Sequence, residues 1–206
     1  MEKTRKLGQT DIEIAAIGYG CMGQTHSYGV VEPEEDMVSL MQYAHEVGYT
    51  FFDTAPIYGE ANERYLGKAV APFRNETVIA TKFGIVDESK YRDGDWRADI
   101  NLFRKEGIDA NMDLMELILD FADRKQATPA QIALAWEITK KPYLVPIPGT
   151  TKKDRVKENF DAVTVELTGT EMEEIETYGY CRHGAWLIGY ILAYHCLNMI
   201  EYGGRL

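Results

Sequence analysis

The chain has 206 residues, enough for one domain with an appendage and near the lower limit of a complete eight-stranded α/β barrel. Acidic residues outnumber basic ones 33 to 22, and the net charge of −11 excludes a general nucleic-acid binder. Local basic clusters for a phosphorylated cofactor remain open. The three cysteines, Cys21, Cys181 and Cys196, contain no CxxC pair, so neither a disulfide framework nor a metal site is indicated.

The amino terminus opens on Met1-Glu2-Lys3-Thr4-Arg5-Lys6 and lacks the apolar core of a signal peptide, which points to a cytoplasmic protein. Arg5 to Ile14 reads as a small hairpin that turns at Gly8-Gln9-Thr10-Asp11. Ile14 to Gly20 is the first buried strand. Met37, Leu40, Met41 and Ala44 have the spacing of an amphipathic helix over 34–46. A second strand at 50–53, a helix at 60–69 and a third strand at 77–82 complete a βαβ pattern, which implies a parallel sheet.

After Gly84 the alternation stops, and residues 85–107 are charged and turn-rich. Residues 110–123 read as a helix with Leu114, Leu117, Ile118 and Phe121 on one face. Thr128-Pro129-Ala130-Gln131 opens another that runs to about Thr139, with a Thr cap and Pro in the first turn. A strand at 143–147, a helix at 152–160 and a helix from Thr168 through Ile175 follow. The run 185–200 is strongly apolar, but it is short for a membrane span and carries His195 and Asn198, so it reads as a helix of a soluble protein.

Three strand ends carry chemistry. Phe51-Phe52-Asp53-Thr54-Ala55-Pro56-Ile57-Tyr58-Gly59 offers a carboxylate and a phenol. Ala80-Thr81-Lys82-Phe83-Gly84 offers an ammonium. A phenol at its ordinary pKa near 10 is a reluctant acid at neutral pH, and an adjacent ammonium favours its ionised form. Val145-Pro146-Ile147-Pro148-Gly149-Thr150-Thr151-Lys152 leads a Thr/Lys/Arg cluster into a helix, an arrangement that holds phosphate.

Together these segments resemble the aldo-keto reductases, TIM-barrel enzymes that pass hydride between NADPH and a carbonyl. The resemblance implies catalytic roles for Asp53, Tyr58 and Lys82, with Tyr58 as general acid and Asp53 holding Lys82 in place. It implies that Gly20, Cys21 and Met22 approach the nicotinamide ribose through their backbone. Gly149, Thr150, Thr151 and Lys152 would bind the 2′-phosphate of NADP, Arg155 would stack on adenine or reach phosphate, and Glu158 and Asn159 would meet the adenine edge. The partner implied is a small-molecule carbonyl, with no nucleic acid and no membrane.

The resemblance comes in two blocks. Residues 1–84 resemble the family's first three strands, and residues from about Tyr91 resemble its last quarter. Counterparts of the four strands between, with their histidine and nicotinamide-stacking aromatic residue, are not found. None of His26, His45, His183 and His195 follows a strand as the family requires. The expected fold is therefore an incomplete TIM-type α/β barrel over 1–177, with about four of eight parallel strands in the order 8-1-2-3. Residues 178–206 would form an atypical tail containing an apolar helix. The concave face of such a half barrel would be covered by that tail or by a second copy of the chain. The functional expectation is an NADPH-dependent oxidoreductase reducing aldehydes or ketones. The alternative is a non-catalytic nucleotide-binding or interaction module of the same descent.

Overall fold

The computed structural model describes residues 3–26, 31–82 and 111–183, with side chains through 178. The expected loop at 85–107 and the expected tail helix at 185–200 lie outside them. Two compact units are present: described residues 3–82 with 145–160, and described residues 111–144 with 161–183.

The first unit opens with an antiparallel hairpin, β1 (Thr4–Lys6) and β2 (Glu13–Ala15). Its turn is closed by Leu7 N–H donating to Ile12 O at 2.9 Å. A parallel sheet follows, in the order β3 (Tyr19–Gly20), β4 (Phe51–Thr54), β5 (Val78–Thr81). Helices α1 (Glu34–Val47) and α2 (Glu60–Val70) supply the crossovers that parallel neighbours require. Met37, Leu40, Met41 and Ala44 are the buried stripe of α1, as their spacing predicts.

The expected first strand over 14–20 is two strands. Residues 13–15 pair with β1, whereas Tyr19 and Gly20 pair with Phe52 and Asp53 of β4. One apolar run thus serves two sheets, and periodicity alone does not mark the changeover.

The expected strand at 143–147 is corrected more sharply. Among the described residues the parallel sheet has three strands, and Tyr143 is 72% exposed. Residues 146–148 do lie beside β3: Gly18 N–H donates to Pro146 O at 2.9 Å and Gly20 N–H to Pro148 O at 3.2 Å. Donors and acceptors both advance by two residues, as in a parallel pair. The return bonds are missing because Pro146 and Pro148 have no N–H. A one-sided ladder results, where the apolar pattern predicts a full strand. The approach is close: a Cβ on Gly20 would lie 2.4 Å from Ile147 O, so only glycine fits there.

The second unit contains α3 (Met112–Lys125), α4 (Pro129–Lys140) and α6 (Gly169–His183); α5 (Lys153–Asp161) belongs almost wholly to the first. Leu114, Met115, Ile118 and Phe121 of α3 pack with Ala130, Ile132, Ala133 and Trp136 of α4 and with Ile175 of α6. Thr128 caps α4 reciprocally. Its hydroxyl accepts from Gln131 N–H at 3.2 Å, and its own N–H donates to Gln131 Oε1 at 3.0 Å. Thr168 and Glu171 repeat the device at α6, at 3.3 and 2.7 Å. That helix continues beyond Ile175 to His183. Among the described residues no helix is long and apolar enough to cross a membrane.

Glu137 on α4 is at odds with its surroundings. Burial pushes its carboxyl up from 4.5 to about 7. The folded value lies above the unfolded one. Its contribution to stability is therefore fully present below about pH 4.5 and is lost as pH rises through 7. Glu137→Gln, which keeps the shape and removes the charge, is expected to raise stability at pH 8 by about 2–3 kcal/mol and to change little at pH 4. Urea unfolding at the two pH values measures this; an equal effect at both would contradict it.

Candidate functional site

Strand register builds the site. Asp53 sits opposite Ala80 in the β4–β5 pair, and Lys82 follows Ala80 by two residues. The period of two puts Lys82 on the same face as Asp53, and the ladder persists that far, with Lys82 N–H donating to Thr54 O at 3.2 Å. The Lys82 ammonium and the Asp53 carboxylate form an ion pair. Burial alone would lower the Lys82 pKa, but the nearby Asp53 and Tyr58 outweigh it and hold the group above its ordinary value. Lys82 is therefore a cation throughout the neutral range.

Tyr58 ends a short 3₁₀ turn, Pro56–Tyr58, and Gly59 follows with φ of 94°, a left-handed conformation that glycine adopts without strain. The Lys82 ammonium lies 5.2 Å from the centroid of the Tyr58 ring. Asp53, Tyr58 and Lys82 thus converge at the carboxyl end of the sheet, as their strand-end positions predict.

A buried network fixes the loops around them. Asn62, on α2 and fully buried, donates to Cys21 O at 2.8 Å and to the Thr25 hydroxyl at 2.7 Å. Its Oδ1 accepts from the Thr54 hydroxyl at 2.7 Å. Thr25 in turn donates to Tyr58 O at 2.9 Å. Neither Asn62 nor Thr25 is among the residues singled out from sequence. The only signal is a buried position on α2 filled by an amide, which a helical pattern reading passes over.

The reading from strand ends also assigns no histidine here, yet His26 stacks on Tyr58, with ring centroids 5.7 Å apart and planes at 28°. Burial holds its imidazole below the ordinary histidine value.

The glycine loop joins the site through its backbone. Cys21 N–H donates to Asp53 O at 2.9 Å, and the Cys21 side chain is fully buried. Burial pushes the Cys21 thiol up, with the Asp53 charge adding to the effect, so it is no nucleophile at neutral pH. Met22 is half-buried. Gly149 abuts Gly20: a Cβ there would lie 2.7 Å from Gly20 O. Tyr19, wholly buried, donates its hydroxyl to Thr150 O at 2.5 Å, and Gln24 donates to that hydroxyl at 3.3 Å. This chain ties the glycine loop to the Thr150 loop.

At the start of α5, Lys152 N–H donates to the Thr150 hydroxyl at 3.1 Å. Thr151 is half-buried and Lys152 exposed. Arg155 and Glu158, one helical turn apart, are joined through Nη1 at 2.7 Å, which leaves the other guanidinium nitrogens to reach a phosphate. Asn159 is fully buried, and among the described residues neither polar atom of its amide has a hydrogen-bond partner. An unsatisfied buried amide is costly and calls for a ligand or water.

A model described as the aldo/keto reductase family matches residues 16–102 and 86–179. A probable aldo-keto reductase 1 of Glycine max is 26% identical over 300 residues, covering 82% of this chain and 87% of that protein. That alignment is longer than this chain, so a long stretch of the relative has no counterpart here. Among solved structures, a glycerol dehydrogenase from Gluconobacter oxydans has a TM-score of 0.69 at 13% identity, covering 85% of this chain and 94% of that one. An aldo-keto reductase from Klebsiella pneumoniae, solved in complex with NADPH, has a TM-score of 0.62 at 17% identity, with coverages of 89% and 97%. Such likenesses show the fold: the chain reproduces part of a barrel, with a few of its parallel strands.

Proposed function

The chain belongs to the aldo/keto reductase family, and we propose that it keeps the family's chemistry, the NADPH-dependent reduction of an aldehyde or ketone to an alcohol. The observation that carries this reading is the Asp53–Lys82 ion pair beside the Tyr58 ring. NADPH, when bound, supplies the hydride. Tyr58 donates its hydroxyl proton to the carbonyl oxygen as negative charge develops there. Lys82 stabilises the phenolate left behind, and Asp53 keeps Lys82 protonated and directed at Tyr58. The buried Asn62 network prevents the Tyr58 main chain from drifting.

Thr150, Thr151 and Lys152, at the amino terminus of α5, would hold the cofactor's 2′-phosphate, where the helix dipole favours an anion. Arg155 would flank the phosphate or adenine, and Glu158 and the unpartnered amide of Asn159 would meet the adenine edge. Gly20, Cys21, Met22 and Gly149 offer backbone to the nicotinamide end. The NADPH complex of the Klebsiella relative supports this cofactor choice. We further assign residues 1–177 to an incomplete barrel and 178–206 to a tail that continues from α6, in a cytoplasmic protein.

A second reading, nucleotide binding without turnover, is favoured by the long stretch of the Glycine max relative that has no counterpart here. Equilibrium dialysis with NADPH and steady-state NADPH consumption with a panel of aldehydes separate the two. Binding with consumption is the expected result. Binding alone favours the second reading, and failure of both sinks the family chemistry for this chain.

A further inference from the structure

We propose that His26 is a positioning residue of this same site: its imidazole, stacked on the Tyr58 ring, fixes the plane of that ring and with it the plane in which the hydroxyl proton lies. The inference rests on the reductase reading. The main chain on both sides of the stack is already fixed. His26 N–H donates to Met22 O at 3.1 Å, and Thr25 holds Tyr58 O through the Asn62 network. That network stops at the Tyr58 backbone and leaves the ring free to turn about its side-chain bonds.

Among the described residues the ring faces the Lys82 ammonium, 5.2 Å from its centroid, and the His26 imidazole, whose centroid is 5.7 Å away. Lys82 is itself held by Asp53 and hydrogen-bonds the Tyr58 side chain, which anchors the hydroxyl end of the ring and leaves its plane to turn about the axis through that oxygen. A flat partner lying at 28° does fix the plane. The imidazole also shields that part of Tyr58, which is half-buried, from water.

Aromatic pairs of this kind contribute an increment equivalent to roughly three- to tenfold in a rate or equilibrium. His26→Ala is therefore expected to lower kcat for aldehyde reduction by about that factor, with KM and NADP affinity nearly unchanged. His26→Phe, which keeps a flat ring and loses the nitrogens, is expected to recover most of the loss. A readout independent of turnover is the NMR spectrum of ring-labelled tyrosine, with the Tyr58 signals assigned by their absence in Tyr58→Phe. These signals are expected to shift in His26→Ala, where the neighbouring ring is gone. Unchanged Tyr58 signals in His26→Ala would overturn the proposal, as would a His26→Phe variant no better than His26→Ala. A wild type that consumes no NADPH but shows the His26-dependent Tyr58 shift sinks the reductase reading and leaves the ring placement standing.

Discussion

Tyr58→Phe is expected to reduce NADPH-dependent carbonyl reduction by roughly 10²–10⁴-fold, the range for loss of a positioned proton donor. The substitution removes one oxygen from a half-buried side chain. The ring keeps its contacts with His26 and Lys82, and the backbone bond from Thr25 is untouched. Fold and cofactor affinity are therefore expected to survive, and the loss should fall on kcat. Lys82→Met is expected to give a comparable loss. It also leaves the Asp53 carboxylate, with a side chain 13% exposed, without its cation. A Tyr58→Phe variant that keeps wild-type kcat would remove Tyr58 from the mechanism.

Gly20→Ala is expected to be the most damaging single methyl group in the first unit. Its Cβ would lie 2.4 Å from Ile147 O, a backbone atom, so relief requires moving the 145–149 segment away from β3. That movement breaks the bonds from Gly18 and Gly20 to Pro146 and Pro148, which are its pairing to the sheet. It also displaces Gly149 and the Thr150 loop. A loss of about 3 kcal/mol is expected, at the upper end for overpacking, with NADP affinity falling at least about tenfold as the two loops separate. Gly67→Ala is the matched control. Gly67 lies within α2 with nothing inside 4 Å of the added carbon, and the change should stabilise by about 0.5–1 kcal/mol. Denaturant unfolding of both variants checks the pair; equal effects would contradict the close approach at Gly20.

Much of this arrangement is legible in the sequence where local chemistry and tertiary structure agree. The apolar run before Asp53 and the run before Lys82 are strands, and their register delivers the two charges to one face. Thr128 and Thr168 cap helices because capping is decided within four residues. The misses share a cause, which is dependence on partners distant in sequence. Whether 146–148 forms a full ladder depends on which N–H groups the neighbour needs, and two of them belong to prolines. Where 14–20 changes sheets depends on β1 and β4 together. His26 follows a glycine loop with no strand pattern of its own, and only the fold of the 55–59 loop brings Tyr58 to it. Asn62 looks like an ordinary helix residue until Cys21, Thr25 and Thr54 are found around it.

The central claim is that the adenosine half of an NADP site persists in this chain. On the proposed reading, Thr150, Thr151 and Lys152, just before α5, would receive a phosphate that NAD lacks. Calorimetric titration of the wild-type chain with NADP and with NAD tests this most directly. One charge-assisted hydrogen bond to the 2′-phosphate contributes roughly 1.5–3 kcal/mol, so NADP is predicted to bind at least about tenfold more tightly than NAD. Equal affinities, or no heat of binding for either, would contradict the account.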